Sequence, residues 1–304
     1  MQLRGEGMDG MAWRVHGEGT LRQGCIMSVE TTSPSPAPAG FPSGNAPASQ
    51  PVPGHAIITP ATGLHTSWRS IPSGDGTLVP VYTARPPGRG PFPVILVIHE
   101  IFGVHEHIAD IARRLAHQGY CACAPQLFHR LGDPQLSPDA ESIQRDFVAK
   151  TADLQVLNDI DNTIDWAATQ GGDLSRLGVT GFCWGGRIAW LYADHNPEVH
   201  ATVAWYGRLV GPVSDLTPQQ PITIAASLRS PVLGLYGGKD PSIPLDTIEA
   251  QLTALQSAHR PGEIIVYPNA SHAFFADYRS SYHPESAADA WYRMLNWFQQ
   301  HGVR

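Results

Sequence analysis

Apolar residues along this chain fall into two patterns that alternate from about residue 66 to the end. "FPVILVIHE" (92–100) and "YCACAPQLF" (120–128) are nearly unbroken apolar runs, the texture of parallel strands buried on both faces. Between them, "EHIADIARRLAHQGY" sets apolar residues at 108, 111, 112 and 115 and ends at Gly119, which predicts a helix. Upstream, "SWRSIPSGDGTLVPVYTARP" predicts two strands joined by a Gly-Asp-Gly turn. Downstream, a helical period runs over about 138–170, and "RLGVTGFC" then passes straight into the helical "WGGRIAWLYAD". "ATVAWYG", "PVLGLYGGKD" and "EIIVYPNASH" add three strands, separated by loops and the helical "PLDTIEAQLTAL". The amphipathic "AADAWYRMLNWFQQH" closes the chain. Strands alternating with helices predict an α/β fold in one domain, a mostly parallel sheet covered by helices on both faces.

The first part of the chain has a different texture. Residues 28–54 are Pro, Ala, Ser and Gly with little to bury, so residues 1–54 are expected to be a disordered tail before a folded domain at 55–304. Met27 stands just before that stretch as a candidate start of translation. The opening "MQLRGEGMDGMAWRVHGEG" has no apolar run fit for a signal peptide, and no later run reaches the ~20 residues of a membrane span, so a cytoplasmic protein without membrane contact is expected. A net charge of −7 provides no basic footprint and sets nucleic acid aside as a partner.

Candidate chemistry begins at "GFCWGG", residues 181–186. It follows the pattern G-x-S-x-G with cysteine at the centre, between a predicted strand and a predicted helix, where a sharp turn lifts the central side chain above the sheet. Glycines at 181 and 185 permit the close backbone approaches of that turn, and the helix N-terminus favours negative charge at Cys183. Asp240 closes the strand "PVLGLYGGKD" and His272 follows "EIIVYPNASH", so nucleophile, acid and histidine come in the expected order at the strand ends where α/β sheets bind ligands. Of the other cysteines, Cys121 and Cys123 flank one alanine on one face of a strand and read as core filling, and four cysteines in all form no disulfide framework. No histidine or cysteine spacing marks a metal site, and no cofactor is expected.

With "HEIFG" (99–103), "GGKD" (237–240) and "SHAFF" (271–275) added to "GFCWGG", the chain resembles the dienelactone hydrolase family over roughly residues 66–302. That resemblance implies an α/β-hydrolase fold and hydrolysis of a lactone or small carboxylic ester through a covalent acyl-enzyme. Cys183 would attack the carbonyl, His272 would transfer the proton and Asp240 would orient the imidazole. The backbone amides of Ile101 and Trp184 would form the oxyanion hole. Glu100 ends a run that should be buried. Either it pairs with an arginine or caps a loop, or, as the resemblance implies, it faces the Cys183 thiol and raises its pKa until substrate displaces it.

Arg130 matches the family position that holds a substrate carboxylate, for which a bidentate guanidinium is suited; a surface loop arginine is the alternative. Ala276 stands where a second family arginine is expected, and Arg279 is three residues away, so dienelactone itself is left open as substrate. Phe102, Trp184, Tyr206, Phe274 and Phe275 line either a pocket or the core. Two further readings stay open: a thioesterase or acyltransferase on the same scaffold, and a catalytically silent small-molecule binder. Oligomeric state is not legible.

Overall fold

A computed structural model describes residues 56–304; the tail expected at 1–54 lies outside the described residues. Eight strands make one sheet: β1 (His65–Pro72), β2 (Leu78–Arg85), β3 (Phe92–Ile98), β4 (Cys121–Pro125), β5 (Gly172–Phe182), β6 (Ala201–Trp205), β7 (Val232–Gly237) and β8 (Gly262–Tyr267). Their spatial order is β1-β2-β4-β3-β5-β6-β7-β8. β1 and β2 pair antiparallel and β2 pairs antiparallel with β4, while every pair from β4 to β8 is parallel. After β3 the chain first builds outward to β4, then returns to β5 on the other side. The ends of β3 and β5 therefore lie at a topological switch point, where such sheets bind ligands.

Six helices cover this sheet: α1 (Glu106–His117), α2 (Ala140–Asp146), α3 (Asp153–Thr169), α4 (Trp184–His195), α5 (Leu245–Ser257) and α6 (Pro284–Gln300). α1 packs on β2, β3 and β4, α6 on β6 and β7, and α3 and α4 pack on each other and on the central strands. Val94 to Ile98 in β3 are completely buried, as their unbroken apolar run requires. Among the described residues no helix is long and apolar enough to cross a membrane.

The helical period expected over 138–170 is two helices, not one. Phe147 and Val148 turn into a single 3₁₀ turn, and Thr151 and Ala152 are extended before α3 begins. The break is fixed from outside: Asp153, at the start of α3, receives both guanidinium nitrogens of Arg187 on α4, at 2.7 and 2.8 Å. Phe147 meanwhile packs into a small cluster with Ile101, Phe102, Phe128 and Ile143. An apolar period continues through the break because both helices bury their apolar faces.

Candidate active site

β5 ends at Phe182, and Cys183 turns the chain into α4 with φ 54° and ψ −114°, a conformation costly for any residue with a Cβ. The turn is braced by Cys183 N–H donating to Trp205 O at 3.0 Å and by Gly186 and Arg187 donating back to Cys183 O. A Cβ on Gly181 would run into Gly185 O, and one on Gly185 would run into Ile98 O and lie 2.5 Å from His99 O. Glycine is thus required at both positions by closeness of approach. The result presents the thiol, half-buried, at the C-terminal edge of the sheet.

Asp240 and His272 arrive from the ends of β7 and β8. His272 Nδ1 lies 2.7 Å from Asp240 Oδ2, and its Nε2 lies 3.2 Å from the Cys183 sulfur. Asp240 is buried and its other oxygen accepts from Ser242 N–H at 2.8 Å, so the carboxylate is fixed before it orients the ring. Burial works against a charged imidazole here, but the Cys183 sulfur and the Asp240 carboxylate outweigh it and hold His272 up at about 10. The imidazole can therefore carry a proton beside the sulfur. The three residues singled out in sequence come together as one hydrogen-bonded line.

The amides of Ile101 and Trp184 stand at the two segments flanking the sulfur, the loop after β3 and the first turn of α4. Neither donates a hydrogen bond within the described residues. His99 shapes the first of these loops. It is fully buried, and burial pushes its pKa down to about 4. Its Nε2 accepts from Leu127 N–H at 3.0 Å, so Nδ1 carries the proton and donates to Glu100 O at 2.6 Å. Its ring stacks on Trp184, with centroids 5.4 Å apart. Sequence reasoning gave His99 no role, although it opens the "HEIFG" stretch.

Glu100 does not take the arginine partner raised for it as one alternative. Its side chain is 1% exposed, and Oε2 accepts from Tyr278 O–H at 2.7 Å and from His105 Nε2 at 3.3 Å. The sulfur's hydrogen-bond partner is His272, and Glu100 makes no ion pair with arginine among the described residues. Its charge is nonetheless local to the site: Glu100 and Cys183 both act on buried Tyr206, whose hydroxyl they help to hold well above its ordinary value after burial. His105 and Tyr278 were missed in sequence. The available signal was that a carboxylate ending a buried run must have donors.

Arg130 is occupied elsewhere. Its guanidinium binds Asp159 on α3 at 2.6 Å and Asp75 in the β1–β2 turn at 2.8 Å, clamping the hairpin to the helix. Arg130→Ala strips the fully buried Asp159 carboxylate of its counter-charge and is expected to cost about 3 kcal/mol. Urea denaturation measures that loss; KM for an anionic ester should not change, and a rise would return Arg130 to the substrate. Arg279, three residues past Ala276, is the other arginine raised in sequence. Its guanidinium is 5.8 Å from the Phe102 ring centre, and its charge is coupled to Glu100 and to Cys183. Of the aromatic residues, Trp184 and Phe102 contact the site, Tyr206 meets His272 edge-on at 5.2 Å, and Phe274 and Phe275 are core.

A mostly parallel sheet with a cysteine at the strand–helix turn, an acid after β7 and a histidine after β8 is the framework of an α/β-hydrolase. The sequence profile of the dienelactone hydrolase family matches residues 79–302, and the chain belongs to that family of hydrolases. A protein of Escherichia coli (strain K12) that bears the provisional name carboxymethylenebutenolidase is 53% identical over 261 residues, covering 86% of this chain and 96% of its own length. One from Yersinia pestis with the same provisional name is 55% identical, covering 79% of this chain and 90% of its own length. The crystal structure of a provisional dienelactone hydrolase from Klebsiella pneumoniae superposes with a TM-score of 0.76 at 55% identity, covering 78% of this chain and 99% of that one.

Proposed function

We propose that this enzyme hydrolyses a lactone or small carboxylic ester through a covalent acyl–cysteine at Cys183. The observation that carries the reading is the unbroken line from Asp240 through His272 to the half-buried sulfur, at 2.7 and 3.2 Å. The sulfur attacks the carbonyl carbon, and the electron pair of the C=O bond moves onto oxygen, where the Ile101 and Trp184 amides receive it. Collapse breaks the C–O bond, and the leaving alkoxide takes the proton from His272 Nε2; in a lactone it stays attached as a hydroxyl. Water then attacks the thioester with His272 as base, releasing the acid and restoring the sulfur. Asp240 keeps Nδ1 protonated throughout and stabilises the imidazolium.

Glu100 serves this reading as an anion close to the reacting sulfur. Arg279, over the ring of Phe102, supplies the positive charge for a carboxylate on the substrate in place of Arg130. The test is to mix the enzyme with p-nitrophenyl acetate, quench, and weigh the intact protein. An added acetyl group that maps to Cys183 and accumulates when His272 is replaced by glutamine is the expected result, because the stalled thioester lacks its base. Turnover with no adduct at Cys183 would overturn the covalent route.

A further inference from the structure

We propose that His105 and Tyr278 are positioning residues that lock Glu100 in place, so that in this chain it is a fixed charge beside the catalytic cysteine and not a group that swings to the thiol. This rests on the hydrolytic reading above and gives Glu100 a definite state within it. Two donors meet on one oxygen, Oε2, from opposite parts of the chain. His105 is the residue before α1; instead of capping that helix, its side chain turns back five residues to the carboxylate. Tyr278 reaches it from the loop after β8, six residues past His272.

Neither donor is free to follow a moving carboxylate. The Tyr278 ring lies edge-on to His105 at 5.0 Å and against His107 at 5.1 Å, and the His105 ring is packed edge-on to Phe102. Behind them, Asp277 binds Arg114 at 2.5 Å, and Arg114 binds Asp110 on its own helix at 2.5 Å. This ladder ties the Tyr278 loop to α1, which carries the other donor at its start. If Glu100 left, a phenol and an imidazole N–H would be stranded in a layer where both residues are at most 6% exposed.

The electrostatics agree with the packing. The groups around Glu100 are His105, His107, Tyr278, Arg279 and Tyr206, with His99 beside it in the chain, and Cys183 acts alongside it on Tyr206. Burial pushes His105 down more than Glu100 lifts it, so it donates Nε2–H as a neutral ring. Burial also opposes charge on Glu100, but the His105 hydrogen bond leads the interactions that outweigh it, and the carboxyl stays below its ordinary value. A carboxyl with a lowered pKa is ionised at every pH above it, so Glu100 contributes no step to the working range. Take away one donor and burial prevails: the pKa rises, and the group protonates as pH falls through that higher value.

The experiment measures iodoacetamide alkylation of Cys183 and kcat/KM for p-nitrophenyl acetate from about pH 4 to about pH 9, for wild type, E100Q, Y278F, H105L and H105Q. Each profile is scaled to its own alkaline plateau. E100Q and wild type are expected to show the same number of steps, since neither changes charge at residue 100 in this range, with the E100Q steps displaced because the fixed negative charge is gone. Y278F and H105L should each gain a new acid-side step, and H105Q, which keeps an N–H donor, should lose most of it. Y278F removes a single oxygen atom and remains informative if H105L does not fold. Profiles of Y278F and H105L parallel to wild type, even at lower rates, would show packing without positioning and overturn the proposal. A wild-type acid step missing from E100Q would overturn it too, because Glu100 would then titrate unaided. The alkylation arm needs no turnover, so it stands even where the acyl–cysteine reading fails.

Discussion

Cys183→Ala is expected to lower kcat/KM for p-nitrophenyl acetate by more than about 10³-fold while leaving the melting temperature in place. The loss is large because the sulfur is the bond-forming atom, and the remaining amides and His272 have nothing to deliver to the carbonyl. Stability holds because Cys183 sits at φ 54° whichever residue is present, and alanine has the same Cβ as cysteine. The half-buried thiol also packs at the rim of the core and not within it. His272→Ala should cost a similar factor, and the double replacement little more, since without His272 the acyl–cysteine is not turned over and without Cys183 it does not form. Activity of Cys183→Ala close to wild type would remove the cysteine from the mechanism. Additive losses in the double variant would separate it from His272.

Gly185→Ala is expected to impair folding and rate together. A methyl there meets Ile98 O and His99 O, which are backbone atoms at the end of β3 and have no rotamer by which to yield. Overpacking against backbone should cost about 3 kcal/mol, read from the midpoint of urea denaturation. What has to give is the spacing between the end of β3 and the start of α4. Those two segments carry the Ile101 and Trp184 amides, so kcat should also fall by about 10² in whatever protein still folds. Wild-type stability in this variant would mean that the turn is looser than its geometry. Wild-type kcat at reduced stability would mean that the two amides do not act together on the oxyanion.

The hydrogen-bonded line of Asp240, His272 and Cys183 was legible in sequence because its parts are local. Cys183, Asp240 and His272 each follow directly on an apolar strand, and parallel pairing brings those strand ends to one edge of the sheet. The requirement for glycine at 181 and 185 was legible for the same reason. Glu100 was legible only as a problem. An acid ending a buried run needs donors, but Tyr278 is 178 residues away and its approach depends on how α1 and the last loop pack. Arg130 failed as a substrate ligand through the same kind of distant pairing: Asp159 is 29 residues on and Asp75 is 55 residues back, and nothing in "PQLFHR" announces either. The break between α2 and α3 was hidden because the apolar period says which face is buried, not whether the axis is continuous.

Trp184 ties two properties together that many enzymes keep apart. Its amide is one donor of the proposed oxyanion hole, while its indole ring, one residue from the sulfur, is stacked on His99 and set against Phe128 with centroids 4.5 Å apart. A change in the indole that widened the approach would also disturb the neighbour that holds the loop of the other amide. Divergence toward a new substrate therefore has an easier course through Phe147 and Val148, which border the same cluster from the short turn after α2 and carry no catalytic atom. The region between residues 128 and 150 is where the chain can explore new chemistry at the periphery while its reaction centre stays intact.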